Sequence, residues 1–172
     1  IEHNGRVYNR TGQLEGELIL GDGIQDIQVT ANGRIWAAYF DEGIFGNFGW
    51  HQPLGASGLV AWDRAGGVNY QFAPPPQLDA IADCYAINAP SESDLWCCYY
   101  TDFPLVHIQE SQVVGSWQSP VTGSDAFAIS DAGALFRGGY SDRHTYHLCT
   151  FAADTLRVST STSLVTGARN PI

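Results

Sequence analysis

Hydrophobic and polar positions alternate in short runs along the whole chain, and these runs predict strands joined by turns. Apolar, β-branched and aromatic stretches are separated by clusters of Gly, Asn, Asp, Ser and Pro, which is typical of antiparallel strands and hairpins. No segment has the apolar spacing of three and four residues that a long amphipathic helix requires. The pattern therefore predicts an all-β chain.

Three of the predicted hairpins resemble one another. Each opens with Asp, crosses a short turn, resumes with an apolar residue and a large aromatic one, and closes on Tyr or Phe and then Asp. They read DIQVTANGRIWAAYFD from Asp26 to Asp41, DCYAINAPSESDLWCCYYTD from Asp83 to Asp102, and DAFAISDAGALFRGGYSD from Asp125 to Asp142. A second kind of hairpin alternates with them, and its four copies are RVYNRTGQLEGELIL, GLVAWDRAGGVNYQF, PLVHIQESQVVGSWQ and YHLCTFAADTLRVST.

One hairpin of each kind together makes a four-stranded unit of roughly 40–57 residues, which is typical of a β-propeller blade. The sequence thus predicts a β-propeller-like repeat of antiparallel blades, in one domain that spans residues 1–172. Trp36, Trp96 and Phe136 are the aromatic residues expected to pack between blades. A β-sandwich built from similar hairpins is the alternative.

The chain is long enough for about three and a half to four blades, whereas propellers usually have four to eight. The prediction is therefore a partial ring, or a ring completed by oligomerisation. An incomplete ring exposes two apolar blade faces, and large apolar patches of this kind mark interaction sites. We expect a homo-oligomer that forms through these faces.

Several long stretches carry a resemblance to a known group of proteins: LGDGIQDIQVTANGRIWAAYFDEGIFGNFGW, GASGLVAWD, IADCYAINAPSESDLWCCYYTDFPLVHI and GGYSDRH. They resemble uncharacterised bacterial β-propeller proteins, and the similarity covers nearly the whole chain. The chain is similar to the C-terminal part of those proteins. The resemblance implies a propeller fold; it implies no activity, and no functional residue is carried over from it.

The charge and the cysteines narrow the classes of partner and the setting. A net charge of −10 with only eight Lys and Arg residues excludes a nucleic-acid partner and disfavours an anionic membrane surface. The four cysteines, Cys84, Cys97, Cys98 and Cys149, form no C-x-x-C pair, and a reduced, cytoplasmic setting is predicted. Cys97 and Cys98 are adjacent on a predicted strand and should point to opposite faces. A hairpin disulfide from Cys84 to one of them is the alternative.

The acids that open and close the three similar hairpins all fall at the end opposite the turn. Stacked blades would gather them around one face, where oxygen-rich clusters suit Ca²⁺ or Mg²⁺. A structural interpretation is that each Asp accepts backbone N–H bonds in an adjoining turn. A third is catalytic acid–base work. The candidate metal ligands are Asp26, Asp41, Asp83, Asp102, Asp125 and Asp142.

An unusually long irregular segment follows the first of these hairpins. From Asp41 to Gly58 it shows no clear period, and loops of this length are often functional. Phe48, Trp50 and His51 are its candidate binding residues, together with Phe45. The alternative is that these rings anchor the loop on a neighbouring blade or subunit.

The sequence contains no G-x-S-x-G, P-loop or H-E-x-x-H motif. We therefore expect a propeller-like binding or interaction module without catalytic machinery or a cofactor, whose ligand is a protein or a small molecule. The alternative is a metal-dependent hydrolase or lactonase that uses the acidic end of the channel, by analogy with other propellers.

Overall fold

A computed structural model describes residues 3–46 and 52–164 of the chain. These ranges contain one five-residue helix, α1 (Asp41–Phe45), and no helix within them has the length and hydrophobicity needed to cross a bilayer. The strands are β1 (Gly5–Tyr8), β2 (Leu14–Leu18), β3 (Ile24–Val29), β4 (Ile35–Tyr39), β5 (Leu59–Trp62), β6 (Val68–Gln71), β7 (Asp83–Asn88), β8 (Asp94–Tyr100), β9 (Pro104–Gln109), β10 (Gln112–Gln118), β11 (Phe127–Ser130), β12 (Gly133–Arg137), β13 (Thr145–Ala152) and β14 (Thr155–Ser163). The prediction of an all-β chain is confirmed.

The strands fall into a hairpin and three four-stranded antiparallel units. The hairpin is β1–β2; unit 1 is β3–β6, unit 2 is β7–β10 and unit 3 is β11–β14. Unit 1 is a separate sheet, whereas units 2 and 3 join into one eight-stranded sheet through a parallel pairing of Gln118 with Thr155. The end strands of that sheet, β7 and β11, contact each other, so the sheet comes close to closing on itself. Of the predicted four-stranded blades, only unit 1 thus stands as a sheet of its own.

Strand β8 shows why unit 2 holds the molecule together. Its sequence, DLWCCYY, is buried from Leu95 to Tyr99 because both faces of unit 2 are covered. Leu95 and Cys97 belong to the apolar core shared with unit 1, and Trp96 and Cys98 to the core shared with unit 3. Adjacent strand residues point to opposite faces, as predicted for the two cysteines.

All four cysteines are buried free thiols, so the alternative disulfide from Cys84 is not formed. Burial raises the pKa of the Cys98 thiol to about 12 and that of Cys97 further still. They act here as small apolar side chains that fill the two cores.

The three aromatic residues expected between blades are all buried between units. Trp36 lies in the core shared by units 1 and 2, and Trp96 and Phe136 lie in the core shared by units 2 and 3. Trp36 is paired across strands with Gln28 and therefore lies on the same face of the sheet. Because the side chain of Gln28 reaches unit 2, Trp36 faces the following unit, as Trp96 does. Phe136 instead faces the preceding unit, because its core partners include residues of unit 2.

Two apolar surfaces are left open, one on each outer unit. In unit 3, Ala128, Leu135 and Leu148 lie side by side in register on the face turned away from unit 2, and both leucines are exposed. We call this set the unit 3 open face. On unit 1, a groove of about 550 Å³ separates the β1–β2 hairpin from β3, and it exposes Ile27 and Val29. We call it the hairpin groove.

The segment from Asp41 to Gly58 is only partly irregular, since it starts with α1 and ends in a turn that packs under Tyr39. Gly23 has φ of 62°, and a Cβ at this position would lie 2.2 Å from the backbone nitrogen of Gly43. This close approach holds α1 against the turn before β3. The expectation of a wholly irregular loop is therefore wrong at its start.

Candidate functional site

A pocket lies where the ends of all three units meet. It has a volume of about 350 Å³ and takes residues from the exit of β4, the start of β7, the end of β8 and the turn after β12. We call it the tyrosine pocket. Its lining residues are Asp41, Phe45, Ala82, Asp83, Tyr85, Tyr100 and Tyr140.

Aromatic rings form one wall of the tyrosine pocket. Tyr85 stacks on Phe103 with ring centroids 5.8 Å apart, and Tyr140 meets both rings edge-on at 6.0 Å. Tyr100 adds a fourth ring, 5.7 Å from Phe103. The hydroxyls of Tyr85 and Tyr140 form a hydrogen bond, which fixes the two rings relative to each other although they come from different units.

The backbone beneath these rings has an uncommon conformation. Asp102 and Phe103 both have positive φ, 62° and 54°, in the left-handed region that residues other than glycine rarely adopt. Such strain persists only where the surroundings enforce it, and it concentrates at functional sites. Here it places Phe103 behind Tyr85 and Tyr100.

Asp83 and Asp41 supply the negative charge of the pocket. Asp83 is half-buried, and its Oδ1 atom has no hydrogen-bond partner among the described residues. Burial raises the pKa of the Asp83 carboxyl, and the nearby charge of Asp41 raises it further. A hydrogen bond with Tyr85 lowers this pKa, but by less. Asp41 is exposed at the start of α1, where its Oδ1 accepts the backbone N–H of Glu42 at 2.8 Å.

Burial also raises the pKa of Tyr85 well above its usual value of 10.0, and the hydrogen bond with Tyr140 raises it further. Tyr85 is therefore a neutral phenol at physiological pH. The pocket combines two acidic groups with polarisable aromatic surface, and among residues 3–46 and 52–164 no Lys, Arg or His lines it.

The structure brings two of the six predicted acids together in this pocket, Asp41 and Asp83, which come from successive hairpins rather than from one. Asp102 is exposed after β8. Among residues 3–46 and 52–164, no three His, Cys, Asp or Glu side chains are grouped as metal ligands. The metal site stays a prediction.

Three other predicted acids have partners of their own. Asp26 accepts the backbone N–H of Ile87 at 3.3 Å, and the side chain of Asp142 accepts the hydroxyl of Thr145 at 2.7 Å. Asp125 forms a two-pronged ion pair with a guanidinium, in which the Nε atom of Arg137 donates at 2.7 Å. None of the three contacts is a backbone N–H bond in an adjoining turn: the donor to Asp26 lies in another unit, and the other donors are side chains.

The candidate binding residues Phe48, Trp50 and His51 lie outside the described residues. Phe45, just before them, is strongly exposed and lines the tyrosine pocket.

The sequence did not single out the tyrosines as a site, yet two of them carried a signal. Tyr100 and Tyr140 are aromatic residues that precede the closing Asp of their hairpins, a feature of the repeated pattern. Their position at the ends of strands places them at the shared edge of units 2 and 3. Tyr85 carried no such signal, because it lies within a strand whose apolar residues Cys84, Ala86 and Ile87 belong to the cores.

His107 lies at the edge of the core between units 2 and 3. Its Nε2 atom lies 2.5 Å from Oδ1 of Asp94, and its ring stacks on Trp96 with centroids 3.9 Å apart. The pair closes the outer side of the core between units 2 and 3.

Fold and pocket together define an all-β protein with a ligand-sized pocket at the junction of three antiparallel units. The chain belongs to the YxzG family, whose sequence profile matches residues 59–162, more than half of the chain. The matched segment runs from β5 into β14 and includes Asp83, Tyr85, Tyr100 and Tyr140 of the pocket. No curated protein matches the chain.

Proposed function

We propose that the chain is a non-catalytic, propeller-like binding module whose ligand site is the tyrosine pocket. The observation that carries this proposal is the convergence of side chains from three successive units on one cavity of about 350 Å³. Small-molecule sites are typically cavities of about 300–1,000 Å³ with a few convergent polar groups. The convergent polar groups here are the carboxylates of Asp41 and Asp83 and the hydroxyls of the lining tyrosines.

The propeller-like arrangement is supported by matching bonds between the first strands of successive units. Gln28 on β3 donates to the carbonyl of Ile87 on β7 at 2.7 Å, and Asn88 on β7 donates to the carbonyl of Phe127 on β11 at 3.3 Å. In a ring of blades, the first strands surround the axis and each blade packs on the next. The link between β10 and β14 consists of one residue pair, so we treat units 2 and 3 as successive blades. The resemblance to bacterial β-propeller proteins supports the same arrangement.

A second copy of the chain is the proposed occupant of the open apolar surfaces. The unit 3 open face is the side of unit 3 that is equivalent to the side of unit 1 packed on unit 2 and to the side of unit 2 packed on unit 3. The hairpin groove exposes the opposite side of unit 1, which corresponds to the faces that units 2 and 3 turn to a preceding unit. A head-to-tail contact between two copies would therefore reproduce a contact that the fold already uses twice.

Light scattering after size exclusion tests this association. We expect a dimer that Leu148→Asp and Val29→Asp each convert to a monomer, because each places a charge in the apolar contact. Val114→Asp, on an exposed residue of β10, is the control and should leave the mass unchanged. A monomeric native chain overturns the proposal for a second copy and leaves the one for the pocket standing.

The binding proposal is tested with a panel of cationic, anionic and neutral small molecules. Tyrosine-labelled protein reports binding through the ring resonances of Tyr85, Tyr100 and Tyr140. At least one class should shift them, and Tyr140→Leu should abolish the effect, whereas Tyr8→Leu in the hairpin groove should not. If no compound shifts these resonances, or if the shifts survive in Tyr140→Leu, the pocket is not the ligand site.

The metal-dependent hydrolase remains the alternative that the sequence suggested. Two carboxylates give fewer oxygen ligands than Ca²⁺ usually takes, about six to eight. The cytoplasmic setting also remains a proposal; four buried free thiols are compatible with a reducing compartment.

A further inference from the structure

We propose that the tyrosine pocket binds a compact organic cation, an alkylammonium or guanidinium group, held between the tyrosine rings and the two carboxylates. This inference rests on the proposed binding function and names the class of ligand. The shared chemistry has two sources: a free small molecule, or the Lys or Arg side chain of a partner protein.

The negative charge of the pocket favours a positively charged ligand. Asp41 and Asp83 both line the cavity, and none of the described residues that line it carries a positive charge. Two carboxylates that face one pocket disfavour each other's ionised form, and a cation between them relieves this repulsion. An anionic ligand would add to it.

The aromatic wall selects an organic cation over a bare metal ion. Tyr85, Tyr100 and Tyr140 line the cavity, and Phe103 lies behind them within 5.7–6.0 Å of each ring. Aromatic faces attract ammonium and guanidinium groups and form the walls of known quaternary-ammonium sites. Ca²⁺ instead takes about six to eight oxygen ligands, whereas the two carboxylates of the pocket supply at most four.

The volume of the cavity and the placement of its polar groups agree with a compact organic cation. The cavity of about 350 Å³ lies at the small end of ligand pockets, which suits one head group rather than an extended molecule. The carboxylates of Asp41 and Asp83 both line the pocket and can accept hydrogen bonds from the N–H groups of an alkylammonium or guanidinium ligand. The hydroxyls of Tyr85 and Tyr140 are bonded to each other, and each oxygen keeps a lone pair that can also accept from the cation.

The test compares choline with 3,3-dimethyl-1-butanol, a neutral molecule of nearly the same shape. Calorimetric titration should show choline binding about tenfold or more tightly than the neutral alcohol, because only choline carries the charge. Ethylguanidinium and short peptides with a single Arg or Lys distinguish the sources. Tighter binding of the peptides indicates a protein side chain, and tighter binding of choline indicates a free ligand.

Variants locate the interaction. Asp83→Asn and Asp41→Asn should each weaken choline binding several-fold and leave the weak binding of the neutral alcohol unchanged. Asp41 is exposed, so its variant keeps the test valid if Asp83→Asn fails to fold. Asp131→Asn, an exposed turn residue outside the pocket, is the matched control and should have no effect.

The outcomes separate the two proposals. If the neutral alcohol binds as tightly as choline, or if both Asn variants leave choline affinity unchanged, the cation inference is wrong and the pocket remains a binding site. If no cation binds but an anionic or neutral compound shifts the tyrosine resonances, the same conclusion follows. If no compound of any class shifts them, both proposals fall.

Discussion

Unit 2 packs against a neighbour on each face, and the two interfaces differ in their side chains. Toward unit 1, the strands of unit 2 present mostly aliphatic residues and Cys, such as Leu95 and Cys97. Toward unit 3, a stack of rings closes the interface, where Trp96 lies 5.5 Å from Trp117 and Phe151 packs beside both. The strands of unit 2 thus contribute mostly aliphatic and Cys side chains to the larger core on one side and a stack of rings to the smaller core on the other.

The hydrogen bonds that join the first strands differ in the same direction. Gln28 makes two bonds to unit 2, donating to Ile87 and accepting from the backbone N–H of Ala89, both at 2.7 Å. Asn88 makes one bond to unit 3, at 3.3 Å. The difference predicts that units 1 and 2 form the firmer pair and that unit 3 separates first, once the single backbone pairing of Gln118 with Thr155 is broken.

The largest expected effect comes from truncating matched leucines on the two faces of unit 2. Leu95 and Leu105 are both fully buried, one facing unit 1 and the other facing unit 3. Each change to Ala should lower the free energy of unfolding by about 2–5 kcal/mol, with Leu95→Ala the more costly. Urea denaturation of the two variants measures the difference. A larger loss for Leu105→Ala would reverse the comparison.

A second matched pair tests the bonds between first strands. Gln28→Ala should cost about 1–3 kcal/mol, because it leaves a donor and an acceptor of unit 2 without partners. Asn88→Ala should cost about 1 kcal/mol or less, because it removes one long bond. Thermal and urea unfolding give both values. Equal losses would mean that these amides do not account for the difference between the interfaces.

Thiol labelling compares how often each core opens. Burial raises the pKa of the Cys97 and Cys149 thiols, so neither should react with iodoacetamide until its surroundings open. Cys149 belongs to unit 3 and should be labelled several-fold faster than Cys97, as mass spectrometry of timed samples will show. Denatured protein, in which both react at similar rates, is the control. Faster labelling of Cys97 would contradict the proposed order of opening.

The smallest expected effect is on the pH dependence of stability, and it comes from Asp83, which lies outside both cores. The pKa of Asp83 is raised in the folded chain, so the unfolded state ionises first as pH increases. As the pH rises from the usual pKa of 3.8 to the raised value, the free energy of unfolding of the native chain should therefore fall relative to that of Asp83→Asn. Above the raised pKa the difference should stay constant. Unfolding curves of both proteins across this range measure the change, with Asp131→Asn as control. A difference that is independent of pH would refute the assignment.

Much of the architecture was readable from the sequence because strands, turns and two-sided burial leave local signals. The run LWCCY predicted a strand, and its two cysteines were correctly expected on opposite faces. The all-β class followed from such runs alone. The start of the Asp41–Gly58 segment was missed because a five-residue helix is too short to show a period.

Register and pocket were harder to predict, for a physical reason. Phe136 was aligned with Trp36 and Trp96, yet it faces the preceding unit, because a shift of one residue along a strand reverses the face. The pocket depends on how residues from distant hairpins meet, and spacing along the chain does not encode that. Asp41 and Asp83 were both singled out, but with other partners.

The tyrosine pocket takes side chains from all three units, and this gives any occupant an effect beyond its own contacts. A molecule bound there touches units 1, 2 and 3 at once and loses its site when any one of them moves away. By linkage, occupancy raises the free energy of that separation by RT ln(1 + [L]/Kd). Filling the cavity should therefore merge the stepwise opening of the units into a single, more cooperative transition.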